Sequence, residues 1–461
     1  MSTSRPDLST LASRTTGPVI PRDQPGFAEA LSGFNTAIVH SPDAVVVVET
    51  ADDVVETVRF ARESSAAGGH VPVRALATGH GGYAPVESGI IVATRGLTGV
   101  AIDPVARTAT FGSGMPWGPI VAAAAEHGLA PIVGASPTVG AVGYLLGGGI
   151  GPLARSHGFS SDYLRSVQIV AGTGELVTAS ADENPDLFWA LRGGKGGLGI
   201  VVEATVDLVE LSTLYGGTMF FDAADGTAVL GGWIAWGRDA DERVSSSLAI
   251  IKFPDLDVVP PPLRGRHLIG IRFAFPGDSA EGEALAAPLR ALAPVRLDGV
   301  AELPAGQIAR VHNDPTNPGP GWGRGAALGE LDDAFVEAFL GQLGEGTRTP
   351  FIVAELRLLG GAVSRDVAGG SAIGGRDVAH VLHLVGAPDP SLFATVLPGA
   401  ADALLAELGT WISPVSTINW VSDPTDPVGF ASAWTAETRE RLARVRAQYD
   451  PDRVFPYGPA D

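Results

Sequence analysis

One histidine in this chain stands where its ring could meet a bound group: Gly79-His80-Gly81-Gly82 follows the apolar stretch VPVRALAT. A ring flanked by glycines can bring a nitrogen close to a ligand, because no neighbouring side chain shields the approach. Alone, such a turn is more often structural than functional. Two further glycine-rich segments change the balance. Gly134-Ala135-Ser136-Pro137-Thr138-Val139-Gly140 runs on through Gly143 to Gly147-Gly148-Gly149-Ile150-Gly151, and residues 184–199 read NPDLFWALRGGKGGLG. Their unhindered backbone N–H groups and two hydroxyls can cradle a pyrophosphate without lysine or arginine. Three such loops in one region are better explained by a large ligand lying across them than by chance turns.

Other chemistries do not fit. Gly194-Lys195 is followed by glycine, so no phosphate-binding P-loop is spelled, and neither GxSxG nor HExxH occurs. Gly194, Gly196 and Gly199 match GxGxxG by letter, but the pattern follows a helical stretch and opens a strand, the reverse of a Rossmann site. With no cysteine, disulfides, cysteine-zinc sites, iron–sulfur clusters and thiol nucleophiles are excluded together.

The elements that must position these loops alternate in the first half. Residues 44–48 (AVVVV) read as a buried strand, 52–62 as a helix with acidic residues in its first turn, and 71–77 as a second strand completing a βαβ unit. Further strands are expected at 90–94, 107–111, 166–170 and 199–211, with helices at 116–126 and 186–192. From about Tyr215 the texture changes. Strands at 216–221, 244–253, 267–275, 350–359 and 378–385 alternate with helices at 226–236, 280–292 and 391–408, the pattern of an antiparallel sheet backed by helices. Residues 260–262 and 313–322 are loops by their Pro and Gly density, and a last helix spans 435–449.

The 461 residues allow two or three subdomains. A net charge of −20 argues against nucleic-acid or anionic-membrane partners. No unbroken apolar run approaches membrane-spanning length, and residues 1–27 lack the core of a secretory signal, so a cytoplasmic location is expected.

In these loops the chain resembles the FAD-binding PCMH-type flavoproteins of the vanillyl-alcohol-oxidase superfamily, and within them the berberine-bridge-enzyme-like and 6-hydroxynicotine-oxidase-like oxidases. The segments that carry the resemblance are Arg74…Gly79-His80-Gly81, Ser136-Pro137-Thr138-Val139-Gly140…Leu146-Gly147-Gly148-Gly149-Ile150-Gly151 and His157-Gly158…Asp162. To these are added residues 184–194, Gly199-Ile200-Val201 and the tail Tyr449-Asp450-Pro451…Val454-Phe455. The resemblance implies an α+β fold: a two-subdomain FAD-binding PCMH-type domain over 37–211, a substrate domain with an antiparallel sheet backed by helices over 212–420, an N-terminal extension 1–36, and a C-terminal return 421–461.

It further implies FAD bonded through His80. Gly79, Gly81, Gly82, Ser136, Thr138, Val139, Gly140, Gly143, Gly148, Gly149, Asp162, Gly199, Ile200, Val201 and Tyr457 are the expected cofactor contacts. Ser136 stands where many relatives carry a second, cysteinyl link, so a single attachment is expected. Val139 matches the oxygen-permissive residue, which favours an oxidase with molecular oxygen as partner. An asparagine common in the tail is missing near Gly458.

A flavin oxidase needs a group that takes the substrate proton. His380 and His383 lie three apart on one expected strand, so at most one faces the flavin, and His383 is preferred. Asn419 belongs to the TINW stretch near the flavin, where Thr417 replaces a tyrosine. Glu355 and Arg357 share a strand face, to bind substrate or to pair. Tyr83, Tyr144 and Tyr457 are further cavity candidates. The leading expectation is oxidation of a small alcohol, sugar or amine. A dehydrogenase unreactive with oxygen, a net non-redox flavoenzyme, and a non-catalytic small-molecule-binding protein are the alternatives.

Overall fold

The computed structural model describes residues 7–66, 69–81, 84–421 and 423–456. The valine-rich runs near the N-terminus can be satisfied only with both faces covered. They form a four-stranded sheet in the order Val19–Pro21, Ala44–Val47, Ile90–Ala93, Val73–Leu76, the last three mutually parallel. Helix Ala51–Ala66 joins the two strands of the expected βαβ unit. Those strands are not neighbours, however: Ile90–Ala93, buried at every position, takes the place between them. Nor is the described N-terminal stretch a mere extension. Leu11 is fully buried and Val19–Pro21 forms an edge of this sheet.

The second sheet is antiparallel, ordered Val100–Asp103, Thr108–Gly112, Ile200–Asp207, Leu164–Val170, Leu176–Ser180. Helices Trp117–Ala125, Pro185–Leu191 and Ala436–Tyr449 share its core with Phe111 and Trp117. The C-terminal return then reaches the first sheet, where Val73 N–H donates to the Val454 carbonyl (2.8 Å). Asp450 braces the return by accepting from Val454 and Phe455 N–H, each at 2.8 Å.

The third sheet has eight strands. Its main path runs Leu297–Asp298, Thr213–Asp222, His267–Phe275, Ser245–Lys252, Phe351–Leu358, His380–Gly386, Gly323–Leu328, with Ala301–Pro304 also paired to 213–222. Helices Gly226–Arg238, Asp333–Leu343 and Val396–Glu407 cover one face with Trp233, Phe335 and Leu404. On the other face Val381 and Ala327 pack with Ile150, Phe159 and Trp420, which ties the sheet to the glycine loops.

Strands 100–103, 176–180 and 323–328 and helix 333–343 were not expected from the sequence. The first two are short and amphipathic, and the third (GRGAAL) is built of residues with low strand preference. Among the described residues no helix is long and apolar enough to cross a membrane.

Asp53 fastens the N-terminal stretch. It is 1% exposed and accepts N–H groups from Thr16 (2.6 Å), Gly17 (3.3 Å), Glu49 (2.8 Å) and Thr50 (3.1 Å). Burial pushes its carboxyl up, but these four donors outweigh burial and hold it below its ordinary value. Asp53→Ala should lower the unfolding free energy by about 1–3 kcal/mol in denaturant titration at pH 7, since buried donors lose their acceptor. A depressed folded-state pKa contributes stability that is complete above the unfolded value, about 3.9, and is lost as pH falls through the folded one. The gap between wild type and variant should therefore narrow below about pH 4.

Candidate active site

Three segments converge on His80. Gly79 takes a φ of +72°, and a Cβ there would stand 2.6 Å from the Gly33 Cα, so backbone passes backbone where no side chain fits. Phe34 N–H donates to the Thr78 carbonyl (2.8 Å), and the Phe34 ring stacks on His80 with centroids 3.6 Å apart. From the other side Thr138 Oγ1 lies 2.9 Å from His80 Nε2 and 3.0 Å from Ser136 Oγ. Gly140 N–H donates to Thr78 Oγ1 (3.0 Å), locking the two loops together. Burial lowers the His80 pKa to about 4, so the ring is neutral at neutral pH.

The surroundings fit the expected flavin. At Gly81 and at Gly143 an added Cβ would meet nothing within 4 Å, so the backbone there borders open space. Gly140 caps a short helix, Ala141–Leu146, inside what reads as a continuous glycine loop. The Ser161 and Thr417 hydroxyls are buried without a hydrogen-bond partner among the described residues.

The other expected cofactor contacts have the following partners within the protein. The Gly148 and Gly149 carbonyls accept from Ser161 and Ser160 N–H, each at 2.9 Å, and both glycines are packed beneath Phe159 and Tyr144. Asp162 accepts from Phe159 N–H (2.9 Å) and pairs with Arg376 (2.5 Å), which precedes strand 380–386 of the third sheet. Gly199 adopts φ +149° against Val170, while Ile200 and Val201 bury their side chains in the first and second cores. Val139 accepts from Trp117 N–H through its carbonyl (3.0 Å) and is half-buried. Gly82, Tyr83 and Tyr457 lie outside the described residues.

Of the catalytic candidates, His380 points to the helix-backed face. Its ring packs on Trp233 (centroids 5.9 Å) and its Nδ1 meets the Gly329 carbonyl at 3.1 Å, so it is a core histidine. Asn419 is held by Lys195 Nζ (3.1 Å to Oδ1) and donates to the Gly147 carbonyl (3.2 Å). It therefore latches the third sheet's TINW turn to the glycine loops rather than presenting a free amide. His383 points the other way, toward the loops, edge-on to Trp420 at 5.0 Å.

Strand register gathers partners around His383 that no local pattern announces. Glu355 is its direct cross-strand neighbour, and Ser247 is opposite both Arg357 and Arg272. Glu355 Oε1 accepts from Ser247 Oγ (2.7 Å) and Arg272 (2.9 Å), and Oε2 from Arg357 (2.9 Å); His312 Nε2 stands 3.4 Å away. Glu355 and His312 are 5% exposed, Arg272 9% and Arg357 13%. Burial alone would push the Glu355 carboxyl up; the Arg357 and Arg272 charges hold it well below the carboxylate range. Burial lowers the His383 pKa to about 4, with Glu355 pulling up and Arg357 down. Arg272, Ser247 and His312 were missed in the sequence. Their one local sign is a polar residue interrupting an apolar strand, as in LIGIRFAF.

Comparison with known proteins bears on this arrangement. Residues 42–180 match the family described as FAD binding domain. The chain is 28% identical over 457 residues to (R)-6-hydroxynicotine oxidase of Paenarthrobacter nicotinovorans, covering 95% of each. Its fold superposes on berberine-bridge-enzyme-like 1 of Physcomitrella patens with TM-score 0.82 at 21% identity, covering 98% of each chain. It also superposes on glucooligosaccharide oxidase of Acremonium strictum, with TM-score 0.81 at 19% identity and 98% of each chain covered. The FAD of that oxidase is described as 6-S-cysteinyl, 8α-N1-histidyl.

Glu355→Gln would leave two buried guanidinium groups facing each other without their carboxylate. The unfolding free energy should fall by about 3–5 kcal/mol. Adding Arg357→Met should restore much of it, a coupling that a double-mutant cycle on denaturation midpoints would measure.

Proposed function

We propose that this chain, an FAD-dependent oxidoreductase of the PCMH-type, berberine-bridge-like flavoproteins, is an oxidase of a small organic substrate. In this reading His80 tethers the flavin, His383 takes the substrate proton, and molecular oxygen is the electron acceptor. The observation that carries the reading is the placement of two half-buried histidines with distinct surroundings: His80 among the glycine loops, against Phe34 and Thr138, and His383 on the sheet opposite Glu355.

When bound, FAD supplies the hydride acceptor and the route of electrons to oxygen. The chain's own residues do the rest. Because Nε2 of His80 is engaged by Thr138, Nδ1 is the nitrogen left for the tether, and the stacked Phe34 ring fixes the imidazole plane. The absence of cysteine makes this the single attachment. Gly81 and Gly143 leave the backbone bare for a flat ring system. His383, unprotonated at neutral pH, accepts the proton of a substrate O–H or N–H as hydride leaves the adjoining carbon. The Glu355 charge across the strand pair then stabilises the imidazolium. Val139 takes the part of the residue that leaves oxygen its access.

Two experiments check this. Acid-precipitated wild-type protein should keep yellow, fluorescent flavin in the pellet, and His80→Ala should release it to the supernatant; colour washed out of the wild type would defeat the tether. His383→Gln should slow flavin reduction by about 10²–10⁴-fold in stopped-flow mixing with a substrate found by peroxide release. In the wild type kcat/KM should hold across pH 5–8, on the order of the ordinary assay range, and fall only as pH drops through about 4, where the base becomes protonated. Reduced enzyme that stays reduced in air would make the protein a dehydrogenase.

A further inference from the structure

A cavity opens between the loop at Ile150, Gly151 and Pro152 and the third sheet at Arg272 and Arg357. Its polar walls are Arg272, Arg357, His312 and the serines 245–247. Glu355 is not part of the wall; it lies behind the arginines and binds both. The wall therefore shows a ligand positive charge and no carboxylate, while the serine hydroxyls are engaged by Arg155 N–H, Trp233 and Glu355.

The charge count within this cluster does not close. Two guanidinium groups share one carboxylate, and burial keeps His312 and His383 neutral. Asp314 is half-buried and adds a negative field at Arg357 and His383, but it forms no ion pair with either among the described residues. Donor capacity is also left over. The Nε–H groups of Arg272 and Arg357 and the His312 Nδ1 are buried and have no hydrogen-bond partner among the described residues. A buried unpaired donor costs about 1–3 kcal/mol, and an uncompensated buried charge costs more. Such a cost is tolerated at a site that a ligand completes.

The geometry points to an anion subsite, walled by Arg272, Arg357, His312 and Ser247, that binds a carboxylate carried by the substrate. A monoanion matches the single surplus charge, whereas a phosphate dianion would overshoot it and meet the field of Asp314. The assignment rests on the flavin-oxidase reading: Arg357 of the cavity wall lies over the Trp420 ring that His383 meets edge-on, so a carboxylate held there sets which end of the substrate meets the flavin. The oxidised carbon then lies a short distance from an acid group. The reaction that supplies this substrate must yield a hydroxy- or amino-acid, or another carboxylate-bearing alcohol or amine.

The test uses FAD-loaded protein with benzoate, its neutral isostere benzamide, and inorganic phosphate as probes. Binding is read from perturbation of the flavin absorbance and from the melting temperature. Benzoate should bind at least about tenfold more tightly than benzamide, as a charge-assisted contact in a buried site requires. Arg272→Met and Arg357→Met should each erase that preference. Both leave Glu355 with one guanidinium, so the cluster stays balanced and the protein folds. Equal binding of benzoate and benzamide to yellow wild-type protein, or a preference that survives both substitutions, would overturn the subsite while leaving the oxidase reading intact. Tighter binding of phosphate than of benzoate would overturn the carboxylate assignment. A protein that never takes up FAD would remove the oxidase reading. In that case a benzoate-dependent rise in melting temperature, absent with benzamide and lost in both variants, would still establish the anion site.

Discussion

A carboxylate taken out of water must be met by positive charge and hydrogen-bond donors, and much of this molecule's working face is arranged around one such group. Glu355 sits on the central strand pair of the eight-stranded sheet and draws Ser247, Arg272 and Arg357 from three strands onto its two oxygens. Because these strands are pinned in register, the same contacts fix where His383 stands and which donors remain for a ligand. Burial and charge act against each other here. Desolvation favours a neutral acid, yet the two arginines win and the carboxyl stays ionised. The ionised Glu355 in turn raises the proton affinity of His383 across the strand pair, against burial and the Arg357 charge, which lower it.

The cofactor side is built on a different economy. Its loops carry almost no charge, and the binding surface is backbone brought close by glycine. At Gly79 the chain passes Gly33 at a separation that excludes a side chain, and the neighbouring Phe34 and Thr138 hold the His80 ring between them. The N-terminal stretch is thus part of the cradle. Asn35 extends the same strap to the third sheet's long loop, donating to the Gly321 carbonyl at 2.9 Å and accepting from Gly321 N–H at 3.0 Å.

Further polar latches hold the cradle against the sheet. Asp162 with Arg376, Asn419 with Lys195, and Arg155 with the Val244 and Leu359 carbonyls all cross from loop to sheet. Two of these residues, Asp162 and Asn419, were expected to serve the cofactor or the chemistry directly. Their contacts also join the glycine loops to segments that flank the third sheet.

Much of this protein was legible in its residues taken in order. Apolar period and glycine punctuation gave six strands of the first half, from 44–47 to 200–207, the helix-backed sheet of the second, and the loop that carries His80, because these depend on chain-local sterics and burial. Parity along one strand was enough to separate His380 from His383 as facing opposite ways. The sequence could not supply the insertion of strand 90–93 between 44–47 and 73–76, which follows from which strand buries most apolar surface once all are present. Nor could it supply the Ser247–Arg272–Glu355–Arg357–His312 cluster. Parity put Glu355 and Arg357 on one face, but Ser247 stands 108 positions from Glu355, and only the register of the sheet joins it and Arg272 to that pair, while a loop brings His312. A polar residue in an apolar strand announces that a partner exists. Which partner it meets is decided by long-range pairing, whose energy is spread over whole strands and written in no single segment.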